Sequence, residues 1–118
     1  MSKAAMSNSQ RRKGAAGERE FLGLMRDYLG DQTIRRNLNQ SRDGGADGAG
    51  TSLELARVAV EVKRTEAFKP RMAMAQAMDA AREFNGVPAV AWRRNGGQWQ
   101  VWVQLTPAEF ADFVRNRM

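Results

Sequence analysis

The chain has 118 residues, 42% of them hydrophobic, enough for one modest core in one small globular domain. It carries 19 basic and 13 acidic side chains, a net charge of +6, and neither Cys nor His. Disulfides, thiolate or imidazole metal sites and Ser-His triads are therefore excluded, so any catalysis must come from carboxylates, Lys or a hard metal ion.

The positive charge is uneven. Residues 1–42 hold nine basic and four acidic side chains, a surplus of five, whereas the remainder holds ten and nine. Fifteen of the basic residues are Arg, whose guanidinium forks onto phosphate with two hydrogen bonds. A polyanion partner, nucleic acid first, is the expectation. No run approaches the roughly 18 consecutive apolar residues of a membrane span. "MSKAAMSNSQRRK" lacks the apolar middle of a secretory signal, so no membrane partner and a cytoplasmic location are expected.

In chain order, residues 1–12 are polar and basic with nothing periodic to bury, and read as a flexible basic arm before a single domain over 13–118. Arg11, Arg12 and Lys13 are placed to follow a phosphate backbone. From Gly14, Phe21, Leu22, Met25, Tyr28 and Leu29 recur at helical spacing up to Gly30, which predicts an amphipathic helix. "TIRRNL" is short enough for a strand, and "NQSRDGGADGAGT" reads as a loop or strand edge. "SLELARVAVEVKR" predicts two strands or one long bent one. "KPRMAMAQAMDAAREFNG" predicts a largely buried helix ending at Asn-Gly.

"VPAVAWRR" and "QWQVWVQL" alternate like strands, with "NGG" between them signalling a hairpin. Thr106, Pro107 and Glu109 form a capping-box signature for a last helix. The order helix, three strands, helix, two strands, helix predicts an α/β domain with a mixed central sheet flanked by helices.

The chemistry concentrates at "VAVEVKR". In a strand, Ala59, Glu61 and Lys63 share one face and Val58, Val60 and Val62 the other. A solvated surface ion pair is the simpler reading of Glu61 and Lys63, and such pairs contribute only about 0–1 kcal/mol. Asp47, 14 residues before Glu61, can return to the same sheet edge. Two hard oxygen ligands beside an ammonium suit Mg2+ or Mn2+, with Lys63 orienting a water or stabilising developing charge.

Gln76 is a polar group in an apolar helix, with a local hydrogen bond as the alternative to a place near the site. Gln40 and Arg42 precede the Gly pair and are candidates for phosphate contact, as is Arg64. Trp92, Trp99 and Trp102 read as core or interface residues before base-stacking ones.

The ordered set "KGAAGERE", "GGAD" and "EVK" resembles the PD-(D/E)XK nuclease superfamily, and within it the archaeal Holliday junction resolvases and phage endonucleases. The resemblance covers about residues 13–81. It implies a restriction-endonuclease-like core, Mg2+ or Mn2+ held by Asp47 and Glu61, Lys63 assisting the attacking water, and Glu18 as the first-helix acid with Glu20 its competitor. A Gln near the position of Gln76 recurs in related nucleases. Ala46 stands where the family name has Pro, and Asp43 competes with Asp47 as ligand.

The activity implied is metal-dependent hydrolysis of DNA phosphodiester bonds, on branched DNA, by a homodimer. A non-cutting nucleic-acid-binding module on the same fold and a phage protein-interaction domain are the alternatives.

Overall fold

The structure is a computed structural model that describes residues 8–38 and 45–118, with side chains from Gly14 onward. It is α/β, with helices α1 (Asn8–Leu29), α2 (Thr51–Ala56), α3 (Pro70–Arg82) and α4 (Pro107–Arg117). The strands are β1 (Arg35–Arg36), β2 (Gly48–Ala49), β3 (Val58–Arg64), β4 (Val87–Arg93) and β5 (Gln100–Val103). The main sheet runs β3-β4-β5 and is mixed: β3 and β4 are parallel, while β4 and β5 are antiparallel. Joining parallel neighbours requires a crossover, which α3 supplies. Strands β1 and β2 form a separate antiparallel pair. It is tied to β3 where Asp47 N–H donates to the Val60 carbonyl at 3.0 Å.

Strand β3 is covered on both faces, so its side chains sort by parity. Val60 and Val62 pack with Phe21 and Leu22 of α1, Ile34, Ala89 and Ala91. Ala59 packs on the other face with Ala46, Ala80 and Ala81. Helix α3 buries Ala73, Ala77, Ala80 and Ala81, an alanine stripe that lets its backbone lie close to β3 and β4. It is less buried than its Met-rich sequence predicts, because Met72 stays 61% exposed.

Four differences from the sequence reading are local. Helix α1 begins at Asn8, inside the arm expected over 1–12; "SQRRK" contains good helix formers and needs no core to continue the helix. Tyr28 and Leu29, expected on its buried face, are exposed in its last turn. "TIRRNL" yields only a two-residue strand. "SLELA" is helix, not strand, which inserts α2 before β3 in the expected order.

Three anchors account for α2. Gly50 turns the chain at φ +147 where an added Cβ would lie 2.7 Å from Ile34 Cα. The Asp31 carboxylate accepts from Ser52 N–H at 2.8 Å and from Thr33 N–H at 2.9 Å. Arg57 closes the helix in the left-handed region at φ 58. The capping box forms as the sequence predicts: Glu109 N–H donates to Thr106 Oγ1, and Thr106 N–H to Glu109 Oε1. No helix among the described residues is long and apolar enough to cross a membrane.

Candidate active site

The chain brings Asp47 and Glu61 together by pairing the residues beside them. Asp47 lies just before β2, with its N–H on Val60, its carbonyl accepting from Asn37 N–H at 2.8 Å, and its Oδ2 accepting from Val62 N–H at 2.7 Å. Asn37 Nδ2 also donates to the Ala46 carbonyl. The carboxylate is therefore fixed against the backbone of β3. Glu61 projects from that strand onto the same side and shares a hydrogen bond with Asp47.

Both residues are 5% exposed, which rules out the solvated surface pair for Glu61. Burial pushes the Glu61 carboxyl up to about 8, helped by the charge of Asp47 and the shared hydrogen bond, while Lys63 pulls it down.

Glu18 stands behind this pair on α1. Arg36 Nε donates to its Oε1 at 2.9 Å. Burial raises its carboxyl, Arg36 opposes the rise, and the charges of Asp47 and Lys63 both reach it. Glu20, the competing residue, faces away and pairs with Arg93 at 2.9 Å. The helix acid that joins the cluster is thus Glu18.

Lys63 and Gln76 complete the setting. A cleft of about 410 Å3 is lined by Gly45, Asp47, Glu61, Lys63, Gln76, Asp79, Ala80 and Glu83. A smaller cavity of about 170 Å3, also bounded by Lys63 and Gln76, continues to Phe68, Lys69 and Met72. A larger cavity, about 650 Å3, lies between β2, α2 and the end of α3 and is lined by neither Asp47 nor Glu61. We place the site in the cleft onto which the buried carboxylates open.

Asp79 and Glu83 are additions that the structure makes to the sequence candidates. Their signal is readable: Gln76, Asp79, Ala80 and Glu83 fall at i, i+3, i+4 and i+7, one face of α3. Asp79 is partnered by Arg82 at 2.5 Å on the exposed surface of that helix.

The remaining candidates are scattered. Arg64 follows the parity of Val62 and lies against α1, where Gly17 makes room for it; a Cβ on Gly17 would come 2.8 Å from Arg64 Cβ. Its Nε is buried without a partner among the described residues. Trp99 packs on Phe21 at 5.2 Å, and Trp92 stacks on Phe68 at 4.5 Å. The side chains of Arg11, Arg12 and Lys13, and residues Gln40, Arg42 and Asp43, lie outside the described residues.

Among the described residues no group of three or more acidic side chains converges tightly enough to hold a metal ion by itself. The Asp47 and Glu61 pair is nonetheless a sufficient protein contribution for Mg2+, which binds through one or two carboxylates and keeps water and phosphate as its other ligands. All donors are hard oxygens, as such an ion requires. No family model matches the chain, and no curated protein or solved structure is significantly similar to it.

Proposed function

We propose that the chain is a Mg2+- or Mn2+-dependent endonuclease of the PD-(D/E)XK type that hydrolyses DNA phosphodiester bonds. The observation that carries this reading is the buried Asp47 and Glu61 pair, opening beside Lys63 onto a polar cleft. Burial and the charge of Asp47 make the Glu61 carboxyl harder to ionise, and a cation between the two residues removes that cost.

Asp47 and Glu61 would hold the ion. When bound, it supplies a lowered water pKa and a polarised phosphate. Lys63 offers three N–H donors and a positive charge at the same wall, suited to orienting a nucleophilic water and to stabilising charge as it develops on phosphate oxygens. Gln76 offers an amide that donates or accepts from the opposite helix. Glu18, tethered by Arg36, adds charge that Lys63 feels and keeps α1 and β1 joined behind the cleft.

Arg11, Arg12, Lys13, Gln40 and Arg42 remain the candidates for gripping DNA outside the cleft. Branched DNA is the substrate that the resemblance to junction resolvases implies.

The test is incubation of the purified chain with four-way, flapped and linear DNA, with Mg2+, with Mn2+ and with EDTA. Cleavage in metal that is lost in EDTA and lost in Glu61→Gln is the expected result. Metal-supported cleavage that survives Glu61→Gln, or no cleavage of any substrate in either metal, would overturn the proposal.

A further inference from the structure

Beside the carboxylate cleft lies a cavity of opposite character. The cleft is lined by four carboxylates, Asp47, Glu61, Asp79 and Glu83, and one ammonium, Lys63. The neighbouring cavity of about 170 Å3 is lined by two ammoniums, Lys63 and Lys69, and among the described residues by no carboxylate. Lys63 and Gln76 line both spaces, so the two meet at that wall. At about 30 Å3 per water, the smaller one has room for about six waters or for one flat ring system.

Its walls are apolar and already in place. Phe68, in the loop before α3, stacks on Trp92 at 4.5 Å, meets Trp102 edge-on at 5.3 Å and packs on the cluster of Ala73, Ala77 and Val90. A ring held by these neighbours loses little freedom when a ligand settles on it. Met72, in the first turn of α3, is 61% exposed and leaves an adaptable apolar side chain open at the cavity. The Thr65 hydroxyl accepts from Ala67 N–H at 3.2 Å, and the Thr65 carbonyl from the Trp92 indole at 3.1 Å. The Gln76 amide, by contrast, has no hydrogen-bond partner among the described residues and can both donate and accept.

We infer that this cavity takes one unpaired nucleobase of DNA, that of the nucleotide adjoining the phosphate in the cleft. The inference deepens the nuclease reading and rests on it for the position of that phosphate. A base presents a flat face to Phe68 and Met72 and polar edge atoms to Gln76, and the phosphates it hangs from are anions that Lys63 and Lys69 attract. A bare cation would meet two ammoniums and no carboxylate, and an apolar peptide side chain would leave both ammoniums unanswered. A base inside a duplex is stacked and paired and must be unstacked to enter, so the cavity selects DNA already open next to the cut.

The test uses the full chain in EDTA at low salt, so that binding is read apart from cleavage. One forked duplex carries thymine throughout its single-stranded arms, and a second carries abasic sugars there on the same phosphates. Anisotropy of the labelled forks should show the thymine fork bound on the order of tenfold more tightly, the scale of one base placed on an aromatic side chain. Met72→Ser and Gln76→Ala, both at exposed positions of α3, should bring that ratio toward one while their urea midpoints stay near wild type. A fork with 5-iodouracil in its arms, irradiated in the complex, should crosslink to Phe68 or Met72, as mapped by peptide mass spectrometry. Equal affinity for the two forks, whether tight or absent, an affinity ratio unchanged in both variants, or crosslinks only outside residues 65–76 would overturn the inference, whatever DNA the chain cuts. Crosslinks at Phe68 or Met72 in a chain that cuts no DNA would instead refute the nuclease reading and retain the base site.

Discussion

Replacing Glu61 by Gln should make the metal-free protein more stable above neutral pH and at the same time inactive. In the native chain the Glu61 carboxyl is raised from 4.5 to about 8, so it keeps a proton that the unfolded chain releases across that window. The native state then binds more protons than the unfolded state, and stability must fall as pH rises between the two values. Glu18 is raised as well and acts in the same direction.

At about 1.4 kcal/mol per unit, the full Glu61 shift sets a ceiling of roughly 5 kcal/mol on that loss. Relaxation and water entering the open cleft reduce the expected loss to on the order of 1–3 kcal/mol. Gln keeps the volume, carries no charge and can donate an N–H to Asp47. The variant should therefore match wild type near pH 4.5 and exceed it by on the order of 1–3 kcal/mol above pH 8, the two ends of the window.

Urea unfolding in EDTA across that range measures the difference, and single-turnover cleavage on the same preparations measures the lost activity. Added Mg2+ should restore stability to wild type above pH 8 and do little for the variant. A flat wild-type profile, or a variant that loses stability at high pH, would show that the folded chain does not raise the Glu61 carboxyl.

Lys63→Met should reduce turnover by roughly 10²–10³ and change unfolding free energy by no more than about 1 kcal/mol, since it removes one positioned cation whose pull on the Glu61 carboxyl is already outweighed by burial. Asp31 is held below the usual carboxylate range by hydrogen bonds from Ser52 and Thr33, so its contribution is present above 3.8 and lost as pH falls below that value. Together with Glu61 it should give metal-free protein a stability maximum near pH 4–5 in thermal unfolding. Gly50→Ala should cost roughly 2–4 kcal/mol in urea, because the position combines a positive φ with a 2.7 Å approach to Ile34 Cα. Arg11→Gln with Arg12→Gln should lower the log-log salt slope of DNA binding by about one for each phosphate that the variant no longer neutralises.

The parts of the fold that the sequence made legible were those fixed by period and caps. The alternation of "VAVEVKR" placed Glu61 and Lys63 on one face because β3 is regular throughout, and Thr106 with Glu109 marked α4 because the cap is local chemistry. Helix α2 escaped for the opposite reason. "SLELA" has too few residues to reveal a period, and what decides its state is distant: Asp31 on Ser52, and Gly50 against Ile34.

The burial of Glu61 was likewise hidden. Alternation assigns a face but does not say what covers it, and here Ala80 and Ala81 of α3 bring a helix close enough to exclude water. Asp79 and Glu83 could have been found by projecting α3 from Gln76, whereas the ion pair of Glu18 with Arg36 depends on where β1 lies and no local pattern gives it.

Two of the three indoles, Trp92 and Trp102, share Phe68, at 4.5 Å and 5.3 Å, while Trp99 packs on Phe21, which gives the chain a built-in optical reporter. Trp99 is wedged on Phe21 with its N–H buried and Arg93 over its ring at 5.6 Å, and Trp102 at 42% exposure meets solvent. Trp92 pairs in register with Lys63, donates to the Thr65 carbonyl at 3.1 Å and stacks on Phe68, which walls the cavity beside the cleft. Emission from Trp92 will thus register what enters next to Lys63, while iodide reaches the more exposed Trp102 first. Fluorescence of the unlabelled protein can follow the cavity beside Lys63 without an added probe.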